Sequence, residues 1–397
     1  MLAAAVVVAA VSWFVLRRLY GGQGAQVQLD VIRTAGTLVI GIGGAVALLL
    51  TARRQRYTEL ALVHTDRDAT ERRITELYTK AADQLGSDQA PVRLAGLYAL
   101  ERLAHSAVEH RQSIVDVICA YLRMPYTPPP PRSYRSPGPA RRRRVRPLSD
   151  RPAYATPTSP GSRHEQAEQE RQVRLTAQNL LSRNLRVATQ RRRRWWHRTP
   201  PPAIPAWPGL RLDLNGAYLL DFALPECQLD YVDFKYAQFT PGVDFGDAQF
   251  TNGASFWGAQ FTGENCAWAS FKGARFTGEA LFSYAQFTGM ASFEDAQFTG
   301  EALFRGVQFT GGVSFEDVQF TGVASSENAQ FTDDASFEGT QFTDWAANFE
   351  GARVASTAEP DTVWPPGWTT RPAQPDSGED PAFLYLTRVE YGNPPDT

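Results

Sequence analysis

Between residues 214 and 348 apolar positions recur every five or six residues. That spacing belongs neither to a helix, at 3.6, nor to a flat strand, at 2. The register starts on Leu214, Leu219, Leu224 and Leu229, passes to Phe234 and Phe239 still by fives, then alternates six and five through Phe245, Phe250, Phe256 and Phe261. Fives follow through Cys266 and Phe271 to Phe276. The alternation then resumes over Phe282, Phe287, Phe293, Phe298, Phe304, Phe309, Phe315 and Phe320, and ends through Ser326, Phe331, Phe337, Phe342 and Asn348. Nineteen of the 23 phenylalanines stand on this ladder. Two residues ahead of most ladder positions is a small residue, as at Ala217, Val232, Ala237, Val243 and Ala248, continuing to Ala346. Phe222, Cys227, Glu264 and Thr340 are among the breaks.

A chain that turns a corner at every step accounts for this pattern. The large and small apolar residues point into a shared interior, and the polar residues between them point out. Four sides close a coil, and coils stack through main-chain hydrogen bonds at roughly 4.8 Å. The length of the ladder then gives about six coils and a rod of ~30 Å. Each coil satisfies its neighbours' backbone groups, so stability is nearly nearest-neighbour. Most six-residue steps contain glycine (Gly242, Gly253, Gly278, Gly289, Gly300, Gly311 with Gly312, Gly322), which predicts bulged corners, often with positive φ. Asp333 and Asp344 stand there in the last two full repeats, and Asp tolerates such geometry better than most residues.

The stretches of pure fives, with their small-then-large motif, resemble the pentapeptide-repeat proteins over about residues 210–350. The run Ala-Gln-Phe-Thr-Gly departs from the commonest pattern of that family, which has Asp or Asn after the Ala and Leu at the centre. The resemblance implies a right-handed quadrilateral β-helix.

The N-terminal half is patterned differently. Residues 35–52 are eighteen residues without a charge, followed by Arg53, Arg54 and Arg56, and residues 2–16 form a shorter apolar run ending at Arg17 and Arg18. These features predict two transmembrane helices, with the bulk of the chain on the cytoplasmic side of the inner membrane. Gly43 and Ala47 form a small-xxx-small pair in the second span, which would favour a homo-oligomer. Residues 57–124 read as helices: Ile74, Leu77, Ala81 and Leu85 share one face, Leu97, Leu100, Leu103 and Ala104 another, and Ile114, Val117, Ile118 and Tyr121 a third. Pro125 ends the last of these. The final pair is similar to a HEAT-like hairpin, which must pack on helix 57–85 or on a partner. Three segments (41–48 with 53–56, 92–100 and 111–126) resemble membrane-anchored pentapeptide-repeat proteins of actinobacteria. That family brings no established active site, so the resemblance implies architecture and location only.

Residues 126–162, with Pro128–Pro131 and Arg141–Arg144, read as a linker, and residues 164–190 as an amphipathic helix carrying Val173, Ala177, Leu180, Leu181 and Ala188 on one face. The expected organisation is a membrane anchor (1–52), a helical module (53–125), a Pro/Arg-rich linker with one helix (126–209), the β-helix (210–352) and a Pro-rich tail (353–397) that folds over the end of the coil stack. The fold class is therefore a mainly β C-terminal half with an α-helical N-terminal half.

Charge sharpens this division. Residues 1–205 carry 32 Lys and Arg against 15 Asp and Glu, whereas residues 206–397 carry 8 against 27. Arg191, Arg192, Arg193 and Arg194 with Trp195 and Trp196 combine basic charge with aromatic anchors, a chemistry that suits anionic lipid; nucleic acid and a merely solvated tether are the other readings. The acidic solenoid admits mimicry of duplex DNA toward a DNA-binding enzyme such as a type II topoisomerase, although acidic outward residues also serve any β-solenoid by discouraging edge pairing. The five histidines (His64, His105, His110, His164, His197) make no metal motif, and the chain holds no phosphate loop and no nucleophile elbow. Cys119, Cys227 and Cys266 imply no disulfide framework. No catalytic residue, metal or cofactor is expected. The chain reads as a scaffold that presents its solenoid to a protein partner.

Overall fold

The computed structural model describes residues 10–11, 13–15, 17–18, 25–129, 160–187, 207, 209–263, 268–343, 347–358, 362–374 and 378–389. The chain divides into two units, Met1–Glu76 and Leu77–Thr397.

The two expected membrane spans are corrected. Among the described residues no helix is long and apolar enough to cross a membrane. The uncharged run 35–52 is one stretch of a longer helix, α1 (Ala25–Leu85), which carries Asp30 and Arg33 before the run and Arg53, Arg54 and Arg56 after it. Eighteen residues is near the minimum for a span, and Gly36, Gly41, Gly43 and Gly44 take places that larger apolar groups would fill. The fold class loses its transmembrane part, and the multi-pass inner-membrane placement falls with it. Residues 2–9 lie outside the described residues.

In the second unit the last turns of α1 are followed by α2 (Ala90–Ser106), α3 (Arg111–Arg123) and α4 (Pro160–Leu185). Pro91 stands in the first turn of α2, where its missing N–H costs nothing. Helix α2 buries Leu97, Leu100, Leu103 and Ala104, and α3 buries Ile114, Val115, Ile118, Cys119, Tyr121 and Leu122. Gly96 lets α2 approach α1 closely, since a Cβ there would come within 2.8 Å of the Ala81 carbonyl oxygen. Helix α4 buries Val173, Ala177, Leu180, Leu181 and Leu185 and packs between the α2–α3 hairpin and the start of the solenoid. Ala188 lies outside the described residues.

From Leu210 the chain winds into parallel two- to seven-residue strands whose side chains align in four columns. The first runs Leu219, Phe239, Phe261, Phe287, Phe309, Phe331 and Val354. The second begins at Leu224 and passes through Phe245, Phe271, Phe293, Phe315 and Phe337 to Trp364. The third runs Leu229, Phe250, Phe276, Phe298, Phe320 and Phe342. The fourth runs Phe234, Phe256, Phe282 and Phe304 and continues through Ser326 to Phe349. Within columns successive phenylalanine rings lie 4.3–5.5 Å apart with planes 2–21° from parallel. Between columns they meet edge to face, as Phe293 and Phe304 do at 5.5 Å and 89°. Both arrangements suit the ring quadrupole. Of the ladder phenylalanines only Phe342, in the last coil, is not fully buried.

The register corrects two steps of the ladder. Phe261 and Phe271 occupy neighbouring columns, so the ten-residue step from one to the other makes one enlarged side rather than two sides of five. Cys266, which falls in that stretch, lies outside the described residues. At the end of the ladder Asn348 is half-exposed and Phe349 is buried, so the interior position falls one residue later than the spacing suggests.

The corners also differ from expectation. Of the glycines in six-residue steps, only Gly253 has a positive φ (135°). The left-handed residues instead follow the second and fourth columns, two residues after the ladder position: Tyr236, Asp247, Tyr284, Asp295, Asp317 and Asn328 among them, with φ from 55° to 60°. Each is the third residue of a turn closed by an i to i+3 bond, as when the Ala248 N–H donates to the Phe245 carbonyl at 3.1 Å. A type II turn requires positive φ at that place. The threonines after the first and third columns add a second bond between coils, as Thr310 Oγ1 donates to the Phe287 carbonyl at 2.9 Å.

At both ends of the stack other parts of the chain meet the coils. At the start, Gln178 donates from Nε2 to the Leu220 carbonyl (2.5 Å) and accepts from its N–H (3.0 Å), and Gln112 makes the same pair of bonds to Arg211. These two amides stand in for a preceding strand. At the far end the tail returns: Arg353–Ala355 pairs antiparallel with Phe383–Arg388, which pairs with Trp368–Pro372.

Candidate functional site

The outward residues of the first coils form a distinct face on the side that joins the fourth column to the first. Its centre is a ladder of glutamines, Gln238, Gln260 and Gln286, held in register by strand pairing. Along one edge, at the left-handed corners, stand Tyr236, Trp257 and Tyr284. Tyr236 and Trp257 meet edge to face at 4.9 Å, and Trp257 and Tyr284 at 5.7 Å. Along the other edge, just past the first column, stand Pro241, Trp268 and Met290; Trp268 pairs with Gly242 and with Met290 in adjacent coils. Tyr236, Tyr284, Trp268 and Met290 are 54, 59, 50 and 72 % exposed, values that set them apart from the buried aromatics of the interior. Further along the rod the same edges carry Arg305 and Gly306, Gly311 and Gly312, then Glu327 and Asn328, Asp333 and Asp334. The apolar edges are thus confined to the first three coils of the face.

Each aromatic has a local reason for its position. The positive φ at Tyr236 and Tyr284 turns their rings along the rod over Gly258 and Gly306 of the next coil, where a Cβ would lie 3.0 Å from the ring. Trp268 lies over Gly242 in the same way, its Nε1 being 2.9 Å from where a Cβ would be. The rings are therefore held in place before anything binds. Acidic residues gather instead at the corner diagonally across, after the second column, at Asp247, Glu294, Asp295, Glu316, Asp317 and Glu338; there Lys272 bridges to Glu294 at 2.5 Å.

Polar groups elsewhere are engaged in structure. The Arg174 guanidinium, 1 % exposed, donates to the Leu122 and Met124 carbonyls (2.9 and 2.6 Å) at the end of α3 and to Glu170 (3.0 Å). It also lies 4.6 Å from the centre of the Tyr126 ring. Glu170 accepts from Tyr121 (3.0 Å) and Arg93 (2.9 Å) as well. Burial, then the neighbouring Glu170 charge, push the Tyr121 phenol above its usual range. His105 packs edge-on against Trp207 at 5.3 Å and meets the Glu101 carbonyl at 2.8 Å. Burial pushes the thiols of Cys119 and Cys227 up to about 12, so neither is an activated nucleophile. Arg191, Arg192, Arg193, Arg194, Trp195 and Trp196 lie outside the described residues, as does His197.

The aromatic edges were missed in the sequence because their residues stand between ladder positions in no fixed residue type. The signal was there: two residues after alternate phenylalanines, large residues alternate with glycine.

A family model, pentapeptide repeats (9 copies), matches residues 271–319. It does not reach residues 41–126, on which the resemblance to membrane-anchored proteins rested. No curated protein and no solved structure matches the chain. The match lies on coils whose four-column register runs unbroken into the coils on either side, and in this solenoid the chain carries pentapeptide repeats.

Proposed function

We propose that the protein is a non-enzymatic scaffold whose solenoid presents the aromatic-edged face to a protein partner. The observation that carries this is the exposure of Tyr236, Tyr284, Trp268 and Met290 on two edges of one rigid face. Tyr, Trp and Met are enriched at protein interfaces, and rings already fixed against a rigid coil lose little entropy on binding. Charged residues, depleted from interface centres, are concentrated here at the opposite corner.

The test compares the full chain with a variant carrying Tyr236→Ser, Trp268→Ser and Met290→Ser. Proteins crosslinked to the wild type in native lysate should be lost from the variant at an unchanged unfolding midpoint. Retention of the same partners by the variant would overturn the assignment of this face.

A further inference from the structure

The aromatic-edged face is small. Three coils at ~4.8 Å and about five residues at ~3.3 Å give a patch on the order of 200 Å². A stable contact between two folded surfaces needs about 800 Å² from each. The face therefore suits a single extended segment of chain rather than a globular surface or a second solenoid. It stands open, with Tyr236, Tyr284, Trp268 and Met290 exposed. Between its edges the side-chain amides of Gln238, Gln260 and Gln286 make no bond to one another or to any other described residue. No Lys, Arg, Asp or Glu stands between the two edges in these coils.

We propose that this face binds a proline-rich segment of the partner protein, held in the polyproline II conformation along the glutamine ladder. The inference rests on the reading of this face as the partner site. Period selects the occupant. A polyproline II helix has three residues per turn at ~3.1 Å each, so one side of it recurs every ~9.3 Å. Two coils of the solenoid span ~9.6 Å. Tyr236 and Tyr284 stand two coils apart, and Trp268 stands on the opposite edge at the coil between them. Prolines three residues apart therefore meet Tyr236 and Tyr284 in turn. A β-strand repeats every ~6.7 Å and matches neither one coil nor two. An α-helix is ~10 Å across, and its ~5.4 Å turns drift against the coils. The chemistry agrees with the period. Proline rings pack in aromatic-lined grooves, and polyproline II makes no internal hydrogen bonds, so its carbonyls are left for the Nε2 donors of the ladder. Rings fixed before binding and a ligand already extended both keep the entropic cost low.

The experiment uses the full chain and a fluorescein-labelled nonamer of L-proline, read by anisotropy. The D-proline nonamer is the control of equal composition and opposite hand. The L-proline probe should bind saturably and at least fivefold more tightly than its mirror image. Tyr284→Ser and Trp268→Ser should each weaken it at least fivefold, and Gln260→Leu at least threefold, at unchanged unfolding midpoints. Excess probe should also displace the partners crosslinked in lysate. Equal binding of the two hands, binding that all three substitutions leave unchanged, or no binding would overturn the proposal. Partners still lost from the Tyr236→Ser, Trp268→Ser, Met290→Ser variant would then leave the face as a partner site with another occupant. Their retention would overturn both readings. Binding seen only in a Pro128→Ser, Pro129→Ser, Pro130→Ser, Pro131→Ser variant would overturn the proposal in favour of this chain's own linker. Binding lost as a concentration-dependent dimer forms would overturn it in favour of a second copy.

Discussion

A methyl group on Gly300 would fall 2.4 Å from the Gly278 carbonyl oxygen, a backbone atom with no freedom to move aside. At Gly306, one turn on, a methyl would meet the Tyr284 ring at 3.0 Å with φ at +60°, a contact that a shift of the ring by a few tenths of an ångström relieves. The two glycines serve different ends, and the same substitution separates them. Gly300→Ala should destabilise by about 3 kcal/mol, at the upper end of overpacking costs. Gly306→Ala should cost about 1–2 kcal/mol, chiefly the left-handed backbone penalty. Combining Gly306→Ala with Tyr284→Ala should recover part of the Gly306→Ala loss and leave Gly300→Ala unaffected. Urea unfolding of the single and double variants measures all of these. Glycine placement was legible in the sequence as a mark on the six-residue steps, but its cause was not. Positive φ and close backbone approach both select glycine, and only the neighbour 22 residues away tells them apart. For the same reason the five-residue rhythm at Cys266 misled: a four-residue enlargement of one side keeps multiples of five while changing which column the next phenylalanine joins.

The helical elements show where element-level patterns stop. The apolar stripe of α4 was visible at 3.6-residue spacing, but what it buries against was not, because that surface is assembled by residues some 40 positions later. Gln178 is the sharpest instance. Its side chain, 4 % exposed, makes two bonds to Leu220 and substitutes for a strand that no other element provides among the described residues. In the helix it reads as one more polar residue. Gln178→Ala would leave a buried N–H and carbonyl unpaired, each costing about 1–3 kcal/mol. Gln112→Ala removes the same bonds at Arg211, an exposed residue, where water can replace them, and should cost about 1 kcal/mol or less. Thermal unfolding of the two variants should rank them in that order, and amide exchange at Leu220 should rise in the first alone. Equal losses would mean the amides serve packing rather than the strand edge.

At the scale of the whole solenoid the consequence is a coil stack whose stability passes from coil to coil and depends on its ends. The four columns follow from the ladder, and the tail's return was foreseeable because an unfinished phenylalanine stack would meet water. Its manner was not: Trp364 enters the second column by stacking 6.0 Å from Phe337, while Trp368 packs on Phe349 from a separate hairpin at 5.4 Å. A chain ending at Ala355 loses both tryptophans and the antiparallel strand that completes Arg353–Ala355. At ~2 kcal/mol for each large apolar side chain uncovered, the loss is several kcal/mol, and it falls on the last coil first because coils interact mainly with their neighbours. Amides from Phe331 to Ala355 should therefore exchange freely in the truncated chain while those of the coils from Phe245 to Phe304 keep their protection, and binding of a hydrophobic dye should rise. Uniform loss of protection along the rod would instead show that the solenoid unfolds as one cooperative block, with its ends and centre equally stable.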